Sequence, residues 1–178
     1  MIFIVTALKP EAQAFVDKYK LKKNTLKNYT IFQNDTMTVI ISGIGIHNAM
    51  MATQTLIDFF DIVDEDIFLN VGICGANKQY EIGSLLPISH IIYEEKKYSI
   101  NTQNNHTIAC VNTPITNPIY EIVDMESFGF YDAIIHSPAI KNYAIFKIVS
   151  DHFEPKKITK ETTKSLLFQH IETILSSI

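Results

Sequence analysis

Short apolar runs that end in glycine or in a polar residue recur along this chain, and this pattern restricts the fold more than any other feature. The clearest runs cover residues 1–6, 36–42, 67–73 and 143–151. Between them, apolar residues follow a helical spacing over residues 11–19 and 47–60. Strands that alternate with helices predict an α/β fold with a mainly parallel sheet covered on both faces. Ligands bind such sheets beyond the carboxyl ends of the strands.

Further apolar segments complete the predicted order of elements. Residues 29–33 and 36–42 form a hairpin, 85–93 and 106–111 are strands, and 160–177 form a closing helix. No repeat or change in composition divides the 178 residues, and a chain that is 47% hydrophobic can bury a core of its own. We therefore expect one domain that spans residues 1–178.

Charge and composition argue against several classes of partner. The formal net charge is -4, which provides no broad positive field for nucleic acid or for anionic lipid. The chain shows no basic leader and no apolar stretch of membrane-spanning length, so a cytoplasmic protein is expected. Cys74 and Cys110 lack the paired spacing of zinc sites, and the six histidines form no metal motif, so neither a metal nor a cofactor is expected.

Acidic residues and glycines follow several of the predicted strands. Glu11 follows the first strand, Glu126 follows a shorter apolar run, and Asp151 ends the last strand. Each has a structural explanation when taken alone, because Glu11 suits a helix dipole, Glu126 a solvated helix position, and Asp151 a turn. Gly43 and Gly45 suit a tight turn, although exposed N–H groups before a helix can also hold an anion or a hydroxyl.

In combination, these segments resemble the purine nucleoside phosphorylase and nucleosidase superfamily, and most closely its methylthioadenosine/S-adenosylhomocysteine nucleosidases. Five motifs occur in the family's order, at residues 5–15, 42–49, 70–76 with 80–89, 123–127 and 148–151. Five ordered motifs are far more specific than any one of them. The resemblance implies a three-layer α/β/α fold around a mixed, mainly parallel, partly barrel-like sheet. It also implies a small-molecule purine nucleoside as the partner, a homodimer and a place in methionine salvage.

The same resemblance assigns roles to the three acidic residues. By that resemblance, Glu11 activates the attacking water, Glu126 accepts hydrogen bonds from the ribose hydroxyls, and Asp151 delivers or shares a proton with N7 of the purine. The chemistry calls for such groups, because cleavage of the N-glycosidic bond forms an oxocarbenium-like sugar and a purine anion. The resemblance also implies a substrate pocket that contains Met125 at the ribose, Ser150 at the purine, and Gly43, Ile44, Gly45, Ile73, Gly75, Lys147 and Phe153 around them.

The chain departs from the family pattern at several places. The region 93–108 is shorter than in relatives, where it helps to close the base pocket. Ile73 stands where nucleosidases usually carry serine, and Lys147 stands where they usually carry arginine. Ile115 and Thr116 occupy the segment that provides base-stacking aromatic residues in relatives.

The absence of arginine from the sequence bears on the reaction. All 15 basic residues are lysines, whereas phosphorylases of the superfamily usually hold phosphate with the planar fork of arginine. Hydrolysis to free base and sugar is therefore expected ahead of phosphorolysis, although Lys147 or Lys9 could form a weaker oxyanion site with the amides of residues 43–45. A non-catalytic member that binds a nucleoside or builds an assembly is the third alternative. The 5′ substituent stays open among methylthioadenosine, S-adenosylhomocysteine, 5′-deoxyadenosine and a futalosine-type nucleoside.

Lys147 lies within an apolar strand, where an unpaired ammonium is costly. Alternation along an extended strand puts its side chain on the same face as Val149 and Asp151. We therefore hypothesise that Lys147 pairs with Glu11 or Glu126. The alternative is that its stem covers apolar surface while its ammonium reaches solvent.

Overall fold

The computed structural model describes residues 1–100 and 106–178, and shows ten strands and four α-helices within them. The strands are β1 (Ile2–Thr6), β2 (Lys22–Leu26), β3 (Tyr29–Gln33), β4 (Met37–Ile41), β5 (Ile67–Ala76), β6 (Leu85–Tyr93), β7 (Lys96–Ser99), β8 (His106–Cys110), β9 (Ile122–Asp124) and β10 (Asn142–Asp151). The helices are α1 (Lys9–Tyr19), α2 (Ile46–Phe59), α3 (Ser127–Ile135) and α4 (Lys160–Ser176), with a short 3-10 helix at Pro155–Lys157.

The strands form one mixed sheet that partly closes on itself. Its order is β10-β6-β8-β9-β5-β1-β4-β3-β2, with β7 added to β6. Because β10 also pairs with β5, the strands β10, β6, β8, β9 and β5 form a closed ring, and β1, β4, β3 and β2 extend from it. The predicted α/β fold with a mixed, partly barrel-like sheet is therefore confirmed.

The helices cover the two faces of this sheet. Helices α2 and α3 pack over a buried cluster that contains Phe68 and Phe130, whereas α1 and α4 pack over a cluster that contains Val71 and Leu167. Phe68 and Val71 of β5 thus point to opposite faces, and burial on both faces accounts for the nearly continuous apolar runs of the central strands. Among the helices of the described residues, none has both the length and the hydropathy needed to cross a bilayer.

Most predicted elements are present, and the ones that the sequence pattern does not predict are short. The hairpin of residues 29–33 and 36–42 is observed as β3 and β4, and the closing helix is observed as α4. Strands β2, β7 and β9 are not predicted, because β2 and β7 carry adjacent lysines with little apolar surface and β9 has only 3 residues. In the region 93–108, β7 forms a hairpin with β6, while residues 101–105 lie outside the described residues.

Helices α2 and α3 approach each other closely at Gly129. A Cβ atom on this residue would lie 1.9 Å from the carbonyl oxygen of Ile46, the first residue of α2. A backbone atom cannot yield without movement of its helix, so a side chain at this position would separate the two helices. The contact also lies close to two of the predicted site residues, because α3 begins directly after Glu126 and α2 directly after Gly45.

We expect Gly129→Ala to lower the free energy of unfolding by more than about 3 kcal/mol, because the methyl group cannot enter the contact between α2 and α3. Urea unfolding followed by circular dichroism measures the change. Ala133→Gly in the same helix is the matched control, and it should cost about 1 kcal/mol, mainly through helix propensity. Equal costs for the two variants would contradict the close contact.

Candidate active site

A cavity of about 360 Å³ lies where several strands end. Its walls come from the ends of β1, β5, β9 and β10 and from the starts of α1, α3 and α4. This volume is in the range of sites that hold small ligands. The structure brings Glu11, Glu126 and Asp151, which are far apart in the sequence, into the lining of this one cavity.

Glu11 lies in the first turn of α1, and backbone donors contact both oxygens of its carboxylate. Oε2 accepts hydrogen bonds from the N–H groups of Ala7 at 2.9 Å and Leu8 at 2.8 Å, and Oε1 accepts one from Ile73 at 3.0 Å. Burial raises the pKa of Glu11 above its ordinary value, although these N–H groups and Lys147 act in the opposite direction. A raised pKa suits a group that accepts a proton near neutral pH.

Gly72 makes room for that carboxylate. A Cβ atom on Gly72 would lie 2.9 Å from Oε1 of Glu11. The register partner of Gly72 on β10 is Lys147, and paired residues of neighbouring strands project to the same face of a sheet. Lys147 therefore projects to the face of the sheet on which the Glu11 carboxylate lies, and its charge acts to lower the pKa of Glu11.

Glu126 is held by the turn that precedes α2. Its Oε1 accepts a hydrogen bond from the N–H of Gly45 at 2.9 Å, and Gly45 has a φ of 109°, which residues with a side chain rarely adopt. Burial raises the pKa of Glu126 to about 7, with Lys147 acting to lower it and Asp124 to raise it further. Glu126 therefore exchanges its proton near neutral pH.

Asp151 ends β10 at an irregular position, and two hydrogen bonds orient its carboxyl group. Oδ2 accepts one from the Ser150 hydroxyl at 2.8 Å, and Oδ1 accepts one from the N–H of Glu154 at 2.7 Å. The register with β5 shifts between Val149 and Asp151, so Asp151 pairs with Gly75, and the expectation that its side chain shares a face with Lys147 is wrong. Phe153, with a φ of 61°, also lines the cavity. Each carboxyl oxygen keeps a lone pair for a ligand.

Lys147 pairs with Asp124, so the hypothesis that its partner is Glu11 or Glu126 is wrong. The Nζ atom of Lys147 lies 2.7 Å from Oδ2 of Asp124, and the Lys147 side chain is only 1% exposed. The alternative in which the ammonium reaches solvent is therefore wrong as well. Asp124 is not predicted as the partner, because it ends β9, a strand of 3 residues that is too short for its pattern to be recognised.

The other residues predicted for the substrate pocket fall into two groups. Those that line the cavity are Ile44, Ile73, Gly75, Met125, Ser150 and Phe153. Gly43 and Gly45 instead form the turn before α2, where the Gly43 N–H donates to the carbonyl oxygen of Ala7. Lys147 lies beside the cavity and is not among its lining residues.

Among the lining residues that are not predicted from the sequence, two groups carry polar side chains. The first is Asp124, which ends the 3-residue strand β9 and therefore has only a weak local signal. The second is the segment around the start of α4, which contributes Ile158, Thr159 and Thr163. Thr159 carries a local signal as the N-cap of α4, since its side chain accepts a hydrogen bond from the N–H of Thr162.

The family of the chain follows from its N-terminal two thirds. A family model described as the phosphorylase superfamily matches residues 1–123. The chain belongs to this superfamily. The matched residues include Glu11 and end just before Asp124 and Glu126. A search among curated protein sequences finds no match.

Several solved structures share the fold over nearly the whole chain. A mutant Helicobacter pylori nucleosidase with 5′-methylthioadenosine in its active site is 12% identical, and the alignment covers 99% of this chain and 98% of that chain with a TM-score of 0.81. The 5′-methylthioadenosine/S-adenosylhomocysteine nucleosidase of S. pneumoniae with a transition-state inhibitor is 16% identical, with 98% and 96% covered and a TM-score of 0.80. The futalosine hydrolase of Helicobacter pylori is 12% identical, with 99% and 97% covered and a TM-score of 0.80. At these identities the similarity establishes the fold alone.

The site of this superfamily member is built on carboxyl groups. In residues 1–100 and 106–178, no three His, Cys, Asp or Glu side chains are grouped to hold a metal ion. Glu11 contacts only backbone donors, Glu126 contacts a glycine N–H, and Asp151 contacts a hydroxyl and an N–H. Burial raises the pKa values of Glu11 and Glu126, which suits them to proton transfer.

We expect the stability of Glu126→Gln relative to the native sequence to increase as the pH rises. The folded protein binds a proton at Glu126 with a pKa of about 7 against an ordinary value of 4.5, so the native sequence loses stability between these values, whereas glutamine has no proton to lose. The relative gain should reach up to about 3 kcal/mol above pH 7. Urea unfolding of both proteins at about pH 5, 6, 7 and 8 measures this difference in stability across the titration of Glu126. The exposed Glu65→Gln is the control, and a pH-independent difference for Glu126→Gln would contradict the raised pKa.

Proposed function

We propose that the chain is a nucleosidase that hydrolyses the N-glycosidic bond of a purine nucleoside of the methylthioadenosine or S-adenosylhomocysteine type. The observation that carries the proposal is the presence of Glu11, Glu126 and Asp151 in one cavity. The shared fold with nucleosidases that are named for these substrates supports it. In this proposal residues 1–178 act as one domain, in a cytoplasmic homodimer that serves methionine salvage.

Glu11 acts as the base in the proposed reaction. Its Oε1 accepts one N–H group, whereas its Oε2 accepts two, so Oε1 retains the lone pair that can accept a proton from water. The water oxygen forms a bond to C1′ of the sugar, and one of its protons passes to Glu11. The bond between C1′ and N9 of the purine breaks at the same centre.

Glu126 acts at the sugar. Its ionised carboxylate accepts hydrogen bonds from the ribose hydroxyls and faces the positive charge that develops as the bond to the purine breaks. The hydrogen bond from the Gly45 N–H leaves the second oxygen of the carboxylate, Oε2, for the ribose. Met125, which also lines the cavity, supplies an apolar contact beside it.

Asp151 acts at the purine, where the electron pair of the broken bond moves onto the base. A proton from Asp151 to N7 neutralises the leaving purine. The Ser150 hydroxyl and the Glu154 N–H hold the carboxyl group in one orientation, which reduces the cost of aligning it with the base. The aromatic ring of Phe153, which lines the cavity, packs against the face of the purine.

Several features favour hydrolysis over phosphorolysis. The sequence contains no arginine, and the ammonium of Lys147 is already bound to Asp124. The Gly43 and Gly45 N–H groups both donate within the protein. Most of the groups considered for a weaker oxyanion site are therefore engaged elsewhere, and Lys9 and the Ile44 N–H are the exceptions. Water as the nucleophile needs no such clamp.

We expect the purified protein to release adenine from methylthioadenosine at the same rate with and without phosphate. Chromatography of the products measures both the free base and the sugar. A requirement for phosphate and a sugar phosphate product would identify a phosphorylase instead. Binding of adenine and methylthioadenosine in a thermal-shift assay without base release would identify a non-catalytic member. S-adenosylhomocysteine, 5′-deoxyadenosine and futalosine assayed in parallel identify the 5′ substituent.

We expect Asp151→Asn to lower the rate of base release by roughly two to four orders of magnitude, because asparagine keeps the size of the side chain and loses the acidic proton. The unfolding temperature should change little. Asp35→Asn, in an exposed turn between β3 and β4, is the matched control and should retain full activity. Near-normal base release by Asp151→Asn would remove Asp151 from the mechanism.

A further inference from the structure

Asp124 binds more than Lys147, because it also holds the start of α3. Its Oδ2 accepts hydrogen bonds from the N–H groups of Ser127 at 2.8 Å and Glu126 at 3.3 Å. Its Oδ1 accepts one from the Ser127 hydroxyl at 2.6 Å. Asp124 therefore satisfies two of the N–H groups at the N-terminus of α3, those of Glu126 and Ser127, and Glu126 stands at that N-terminus.

We propose that Asp124 and Lys147 act together as a positioning pair for Glu126, in which Asp124 fixes the Glu126 backbone and Lys147 supplies the charge that balances the Glu126 carboxylate. The catalytic consequence of this inference rests on the proposed function. Its physical content is a property of the unliganded protein and can be measured without a substrate.

The backbone and the side chain of Glu126 are held from different parts of the fold. Asp124 of β9 holds the backbone, and Gly45 before α2 donates to the side chain. The ammonium of Lys147 reaches Asp124 from β10, across β5, where its register partner is Gly72. Three segments, β9, β10 and the turn before α2, therefore meet around Asp124 and Glu126.

The charges in this part of the molecule require a buried cation. Glu11, Asp124 and Glu126 are buried carboxyl groups, and Lys147 is the one buried lysine among the described residues. Burial alone would lower the pKa of Lys147, but the attraction of Asp124, Glu126 and Glu11 raises it above its ordinary value. The charged groups that act on Glu126 are Lys147 from β10, Asp124 from β9 and Glu11 from α1. Only Lys147 in this set favours the ionised form of Glu126.

A purely structural role for the ion pair makes a different prediction. Buried ion pairs contribute little net stability, because the desolvation of both groups offsets their attraction. If Lys147 served stability alone, an apolar replacement would alter unfolding and leave the titration of Glu126 unchanged. The titration of Glu126 therefore separates the two roles.

The test uses three variants of lysine and one of aspartate. Lys147→Met removes the charge and keeps a side chain of similar length, and Lys147→Arg restores the charge. Lys164→Met is the matched control, because Lys164 forms an ion pair with Asp17 at 2.6 Å on the surface, outside the cavity. Asp124→Asn weakens the hold on the Glu126 backbone and leaves the charge of Lys147 in place, so it tests the two roles separately. Carboxyl ¹³C NMR of the unliganded proteins follows the titration of Glu126, with its signal assigned by comparison with Glu126→Gln.

In Lys147→Met, the titration of Glu126 should move to higher pH by at least about one unit. The acid limb of kcat/KM for base release from methylthioadenosine should move with it, and kcat should fall by about 100-fold. Lys147→Arg should restore both quantities, and Lys164→Met should leave them unchanged. In Asp124→Asn the titration should move to lower pH because a negative neighbour is lost, whereas kcat should still fall because the start of α3 is released.

An unshifted titration of Glu126 in folded Lys147→Met overturns the proposal, as does full kcat in Asp124→Asn. If Lys147→Met does not fold, Lys147→Gln replaces it with the same expected shift, because glutamine keeps a donor for Asp124 without the charge. If the native protein cleaves no nucleoside, the proposed function fails, while the NMR titration still decides whether Lys147 balances Glu126.

Discussion

Strand β5 lies at the centre of the sheet because three other strands pair with it. β10 follows one edge of β5 from Ile67 to Gly75, whereas the opposite edge is shared by β1, which pairs as far as Asn70, and β9, which begins at Gly75. That edge therefore has a gap between β1 and β9, in which no strand of the described residues pairs with β5. In this gap the N–H of Ile73 donates to the Glu11 carboxylate instead of to a neighbouring strand. The cavity forms at this gap, as expected for sheets whose strands part at a switch point.

The carboxyl groups at this gap oppose the stability of the fold. Burial raises the pKa values of both Glu11 and Glu126, which means that each ionised form is less favourable in the folded protein than in water. Backbone N–H groups and the single ammonium of Lys147 offset part of this cost. Such opposition between stability and the needs of a site is common, since reactive groups must be held in surroundings that a stable core would exclude.

The parts of the fold that sequence analysis predicts are those with a local pattern. Central strands such as β1, β5 and β10 are recognised because burial on both faces requires continuous apolar runs. Strands β2 and β7 have no such run, and they form because a hairpin brings them beside a neighbour. The three residues of β9 join β5 and β8 only when the ring closes, which is a long-range event that no local pattern records.

The same distinction applies to the site. The order of the motifs was enough to predict that Glu11, Glu126 and Asp151 belong together, because the carboxyl ends of strands meet at one edge of a sheet. The partner of Lys147 depends on the position of β9, and was therefore assigned wrongly. Strand alternation predicts the face to which Lys147 projects, but it cannot choose among Glu11, Glu126 and Asp124 as the partner.

Closure of the ring has a consequence for the way the sheet meets other molecules. In the part of the chain that the structure describes, the strands left at an open edge are β2 and β7. Each carries two adjacent lysines, Lys22 with Lys23 and Lys96 with Lys97. Lysine on an edge strand opposes the addition of a strand from another chain, because the charges would repel one another and lose their water. The sheet is thus protected from edge-to-edge aggregation, and contacts between copies of this protein would use its helices and loops instead.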